Sequence, residues 1–92
     1  MIEIFGLKRV QNPRPNRSGD TILAFFDAQV EWLTIEGAAL VQLGSGAGIT
    51  VWEPLAKADQ RPRRCMRMDG PVRQKVAEAA LPFFQSLGGR LD

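Results

Sequence analysis

Residues 21–52 read TILAFFDAQVEWLTIEGAALVQLGSGAGITVW, and the alternation of apolar runs with short polar breaks in this stretch sets the expected fold. Thr21 to Phe26 is almost continuously apolar, as suits a central strand covered on both faces. Asp27-Ala28-Gln29 reads as a tight connection. Val30 to Ile35 brings Trp32, Leu33, Thr34 and Ile35, residue types that favour a strand. Glu36-Gly37 interrupts it, and Ala38 to Leu43 resumes the apolar pattern. Gly44-Ser45-Gly46-Ala47-Gly48 is a flexible turn, and Ile49, Val51 and Trp52 form a further strand that Glu53-Pro54 ends. Connections of hairpin size imply antiparallel pairing, so the stretch is expected to be a β-meander.

Outward from this centre, Glu3 to Val10 mixes Ile4, Phe5, Leu7 and Val10 with charged residues and is expected to be a first strand. Residues 11–20 hold Pro13, Pro15, Asn12, Asn16 and Gly19 and form an exposed loop. On the other side, Lys57 to Arg63 is charged, contains Pro62 and reads as a loop. Arg64 to Met68 alternates in the manner of a short strand. Asp69 is placed to cap a helix over 71–87, with Pro71 tolerated in its first turn. Val72, Val76, Ala80, Phe83 and Leu87 recur at the spacing of one helical face. Pro82 is expected to kink or break the helix near Glu78, and Gly88-Gly89 to end it. The expected fold is therefore α+β, a single domain over 1–92 in which one C-terminal helix packs on an antiparallel meander sheet.

Composition narrows the function classes. The chain has 92 residues, one domain's worth, and a domain of this size buries roughly 60–70% of its unfolded surface. No apolar run approaches the roughly 20 residues of a spanning helix, and Met1-Ile2-Glu3-Ile4 lacks the basic start of a secretory signal; a cytoplasmic location is expected, with no membrane partner. Cys65 is the single cysteine and histidine is absent. The commonest general base and metal ligand is thus missing, and Ser-His or Cys-His nucleophiles cannot be assembled. A non-enzymatic protein is expected, with no metal, cofactor or small-molecule substrate implied.

The net charge of +2 conceals an uneven distribution. Residues 21–56 contain no Lys or Arg but carry Asp27, Glu31, Glu36 and Glu53, which are expected to face solvent along the meander. Residues 57–75 contain Lys57, Arg61, Arg63, Arg64, Arg67, Arg73 and Lys75 against Asp59 and Asp69. Guanidinium groups present paired donors that match phosphate oxygens. Arg61, Arg63, Arg64, Arg67, Arg73 and Lys75 are therefore the candidate nucleic-acid contacts, with Lys8, Arg9, Arg14 and Arg17 able to extend the patch. The opposing reading is a solvated loop whose charges maintain solubility. The glycines of 44–48 resemble a phosphate loop only superficially, because a strand rather than a helix is expected to follow. Trp32 and Trp52 lie among apolar neighbours and are expected to pack in the core or an interface rather than stack on bases. One ring of Phe83-Phe84 should face the core. Cys65, among arginines, is expected to be an inert strand cysteine.

The order of features resembles the stage V sporulation protein G (SpoVG)-like family. The resemblance is carried by Lys8-Arg9-Val10 ending the first strand, Ile22-Leu23-Ala24-Phe25-Phe26-Asp27, Leu33-Thr34-Ile35-Glu36-Gly37-Ala38-Ala39-Leu40-Val41 and Ile49-Thr50-Val51-Trp52-Glu53-Pro54, then a basic segment and a C-terminal helix. It spans roughly Glu3 to Leu87. It implies a small α+β protein that dimerises through its sheet and binds DNA or RNA as a regulator. It also implies Arg61, Arg63, Arg64, Arg67 and Arg73 as contacts. The chain departs from the family where a Pro-Ser-Arg/Lys-type sequence is common, having Pro54-Leu55-Ala56-Lys57. A competing expectation is a non-catalytic interaction module that pairs through its sheet edges; a small-molecule binder or carboxylate-based enzyme ranks behind both.

Overall fold

The computed structural model describes residues 1–44, 48–58, 61–64 and 67–91, with 55–58 and 61–64 described by their backbone. Four antiparallel strands, β1 (Ile2–Arg9), β2 (Thr21–Val30), β3 (Leu33–Gln42) and β4 (Ile49–Trp52), form one sheet in the order β1-β2-β3-β4. Two short strands, β5 (Leu55–Ala58) and β6 (Arg61–Arg64), form a separate two-stranded antiparallel sheet, and α1 (Gly70–Ser86) closes the chain. The meander with one C-terminal helix packed on it is the α+β fold expected from sequence.

The connections differ from that expectation. Asp27-Ala28-Gln29 is strand, not turn: β2 runs on to Val30, and Val30 pairs with Leu33 around Glu31-Trp32. Pairing of Ile2 to Phe5 with Asp27 to Val30 holds these residues extended, so tertiary contact overrides their turn-like composition. Glu36-Gly37 does not break β3. The register steps from Ala28↔Ile35 to Phe26↔Ala38, so both residues lie opposite Asp27 as a bulge. Gly37 has φ 80°, a conformation glycine enters without a Cβ penalty, and its N–H donates to Asp27 Oδ1 at 2.9 Å. On the opposite side β1 shifts register between Phe5 and Lys8, so both neighbours of β2 bulge beside Phe26 and Asp27.

Ile4, Phe26, Ala28, Ile35, Leu40 and Val51 from the sheet meet Val76, Ala77, Ala80 and Phe84 from α1, with Met68 from the residues before the helix, in one buried cluster. Alanines in the facing positions let helix and sheet approach closely, and the branched and aromatic side chains fill the space between. The helical stripe is shifted from the expected one. Val76, Ala77, Ala80 and Phe84 are buried, whereas Phe83 and Leu87 are about half exposed. Phe84 is selected because the chain folds back over its ring: a Cβ added at Gly89 would lie 2.4 Å from that ring, so only glycine fits.

The helix remains continuous through Pro82 to Ser86, without the expected break near Glu78. Gly88 N–H then donates to Gln85 O at 3.0 Å and Gly89 N–H to Phe84 O at 2.9 Å, the bonding of a Schellman cap. At the other end Asp69 occupies the N-cap position in extended conformation, without a side-chain cap hydrogen bond among the described residues.

Candidate nucleic-acid interface

The basic segment is more ordered than its composition implies. Residues 57–63, expected as a loop, lie largely in the β5–β6 ribbon; the strand expected over Arg64–Met68 shares only Arg64 with β6, and Arg67 and Met68 lie in no strand. The register pairs Leu55 with Arg64, Ala56 with Arg63, Lys57 with Pro62 and Ala58 with Arg61. Charge and proline disguise this strand in the sequence. Proline is tolerated on edge strands, and both strands of a two-stranded ribbon are edges. Arg61, Arg63 and Arg64 therefore occupy three of the four positions of β6. Cys65 and the acid Asp59 lie outside the described residues.

The remaining candidates divide. Arg67 and Lys75 are exposed. Arg73 is committed elsewhere: its Nη2 donates to Glu53 Oε1 at 2.5 Å and to the Met68 carbonyl at 3.2 Å. Glu53 is only 7% exposed, contrary to the expectation that the meander acids face solvent. The pair ties the end of β4 to the first turn of α1, so the structure places Arg73 in the sheet–helix joint rather than on an open basic surface. The spacing of Glu53 and Arg73 in the sequence carries no local signal for this contact. Arg9 is engaged in the same manner at the far end of α1. The last helical turn has no basic residue of its own, and Arg9 Nη1, from β1, donates to Leu87 O at 2.7 Å, where a cation meets the negative end of the helix dipole. Two guanidinium groups thus hold the two helix ends to the sheet.

Trp32, expected in a core or interface, lies at the β2–β3 turn and is 98% exposed. Glu31 beside it has φ 54°. The Met1 ammonium donates to Glu31 Oε1 at 2.9 Å, and this hydrogen bond, followed by the charge attraction, holds the carboxyl below its ordinary 4.5. Trp52 is half-buried on β4. After Gly48 the chain enters β4, a strand, so no helix N-terminus follows the glycines to receive a phosphate.

Two open depressions lie at the 11–20 loop. One, of ≈ 390 Å³, is lined by Arg9, Val10, Gln11, Asn12 and Pro13. The other, of ≈ 310 Å³, is lined by Val10, Arg14, Asn16, Asp20, Ile22 and Phe25. Asp20 is the acid of the second, and its Oδ1 accepts the Gly44 N–H at 3.0 Å, which assigns it to pinning two loops together. Among the described residues no group of three or more His, Cys, Asp or Glu could hold a metal ion, and no helix is long and apolar enough to cross a membrane. No protein-family model, no curated protein and no solved structure matches the chain.

Proposed function

We propose that this chain is a small nucleic-acid-binding or regulatory protein that contacts phosphates through its arginine-rich ribbon. The observation that carries the reading is the concentration of Arg61, Arg63 and Arg64 on one four-residue strand. Like charges are brought this close at an energetic cost unless an anionic partner offsets it. Exposed Arg67 and Lys75 continue the basic segment toward and onto α1, whereas Arg73 serves the fold. The resemblance to the SpoVG-like family points the same way. Binding of this kind is dominated by the phosphate backbone and is strongly salt dependent.

The test is binding of the purified chain to DNA and RNA over a salt series. Arg63→Ala/Arg64→Ala is expected to weaken binding and to lower the slope of log K against log salt by about 2. Absence of binding at low salt, or an unchanged slope in the double variant, refutes the reading.

A second reading, a non-catalytic interaction module, draws on the sheet. Phe5 and Phe25 are 44% and 47% exposed on the face away from α1, and β1 and β4 are the outer strands of the four-stranded sheet among the described residues. The two readings combine in a homodimer whose sheets meet. Purification with a defined protein partner, free of nucleic acid, favours the interaction module alone.

A further inference from the structure

We propose that the depression between the 11–20 loop and β2 is a binding site for one guanine nucleotide, free or as a unit of a single strand. The site shares no residue with the β5–β6 ribbon, so it stands or falls apart from the phosphate contact proposed above. Val10, Arg14, Asn16, Asp20, Ile22 and Phe25 line a space of ≈ 310 Å³, at the lower end of the range for small-molecule sites and suited to one base rather than a longer ligand.

The loop wall is fixed in advance. Asn16 Oδ1 accepts the N–H groups of Ser18 and Asp20 at 2.9 and 3.0 Å, and Asn16 N–H donates to Asp20 O at 2.8 Å. Pro15 bridges to Thr21. Asp20 Oδ1 accepts the Gly44 N–H, and the backbones of Gly19 and Gly44 approach so closely that a Cβ on Gly44 would run into Gly19 O. A loop held by its own side chains and by a second loop presents its polar groups at little ordering cost on binding.

The same bonds decide which polar atoms are left over. The two N–H groups fix the orientation of the Asn16 amide and leave Nδ2 as a donor. Among the described residues, neither Asn16 Nδ2, nor Asp20 Oδ2, nor the Arg14 guanidinium makes a hydrogen bond. Because Asp20 N–H reaches Asn16 Oδ1, the amide donor and the carboxylate acceptor are neighbours. Guanine is the base whose Watson–Crick edge sets two adjacent N–H donors beside a carbonyl acceptor, and a carboxylate next to an amide donor is its complement. Each other base places at least one acceptor lone pair where guanine has a donor.

The apolar lining suits the same ligand. Phe25 is 47% exposed and offers a ring face for stacking, with half-buried Val10 and Ile22 beside it in the lining. Lys8 pairs with Phe25 across the β1–β2 register, and Lys8, Arg14 and Arg17 are exposed, so β1 and the loop both supply cations for the phosphate. The ring also belongs to the face offered for sheet-to-sheet pairing, so a base and a second copy compete for it.

The experiment titrates the intact chain with guanosine, adenosine, cytidine and uridine monophosphates and follows the backbone amides by two-dimensional NMR. Guanosine monophosphate is expected to shift the amides of Val10, Asn16, Asp20 and Gly44 and to bind at least about tenfold more tightly than the other three. Asp20→Asn keeps an acceptor for the Gly44 N–H but turns the free acceptor into a donor, and should abolish the guanine preference while the rest of the spectrum is unchanged. Arg14→Ala should weaken guanosine monophosphate at least about threefold and leave guanosine itself unaffected, a split that a general loss of folding would not produce. Arg63→Ala/Arg64→Ala should leave the nucleotide affinity as it is. A thymidine strand with one guanine, set against the all-thymidine strand, tells the sources apart: a gain beyond the affinity of the free nucleotide assigns a strand, no gain assigns the free nucleotide, and the site stands on either result. No shift at these amides up to about 10 mM nucleotide, or a preference for guanine below about tenfold, overturns the site and leaves the ribbon reading untouched.

Discussion

Arg73 and Glu53 illustrate how one residue type serves two ends in this chain. Arg73 has the charge and position of a phosphate contact, yet its guanidinium meets a carboxylate that is almost removed from water. Removing one partner of a buried pair costs about 3–5 kcal/mol; Arg73 is itself about one-third exposed, which reduces the expected cost of Arg73→Ala to about 2–3 kcal/mol. Urea unfolding measures it, and an unchanged midpoint would remove the pair from the list of fold determinants. The same variant should leave the salt slope of nucleic-acid binding as it is, in contrast to Arg63→Ala/Arg64→Ala. Glu31 offers a pH-dependent counterpart. Its carboxyl is held below the ordinary value by the Met1 ammonium, so the pair's stabilisation is fully present above that ordinary value and is lost as pH falls through the lowered one. Because both groups are exposed, the effect is small. Glu31→Gln should slightly flatten the fall in Tm between about pH 6 and pH 3, and a steeper fall would contradict the sign.

At the scale of elements, the sheet is shaped by extra residues placed beside β2. Gly37 opens the bulge opposite Asp27 with φ 80°, and a Cβ there would meet nothing within 4 Å. Gly37→Ala thus tests backbone conformation without a clash, and about 1–2 kcal/mol of destabilisation is expected. Calorimetry at matched pH checks it; a neutral result would mean that the bulge relaxes. The β5–β6 ribbon marks the opposite case. Its second strand carries Arg61, Arg63 and Arg64 in four residues, so substitutions of Arg61 and Arg63 are expected to change binding while Tm stays within about 2 °C of the parent. Composition misleads at both places for related reasons. Asp27 and Gln29 look like turn residues but are held extended by β1, and the proline and arginines of β6 look like loop but sit on an edge that makes few demands on the ladder.

At the scale of the whole molecule, one sheet face is covered by α1 and the other carries Phe5 and Phe25 about half exposed. A domain of 92 residues leaves roughly 30–40% of its unfolded surface in water, so pairing two such faces is a direct way to gain apolar burial. Light scattering is expected to report a mass twice the 10.2 kDa of the chain, and Phe25→Asp to return it to the monomer value. A monomeric parent chain would remove the homodimer from the proposal while leaving the ribbon's role untouched.

The meander, the C-terminal helix and the basic segment between them follow from local patterns: apolar runs, turn glycines, helical spacing and clustered arginines. Each is an interaction between near neighbours, which a linear reading captures. The β2–β3 turn position, the burial of Phe84 in place of Phe83, the ribbon, and the withdrawal of Arg73 and Arg9 from the basic surface come from contacts between residues far apart in the chain. Arg73 meets Glu53 across 20 positions and Arg9 meets Leu87 across 78. Nothing within a short window distinguishes a guanidinium that will hold a helix to a sheet from one that remains open to a phosphate; the distinction arises when folding sets a carboxylate or a helix end beside it.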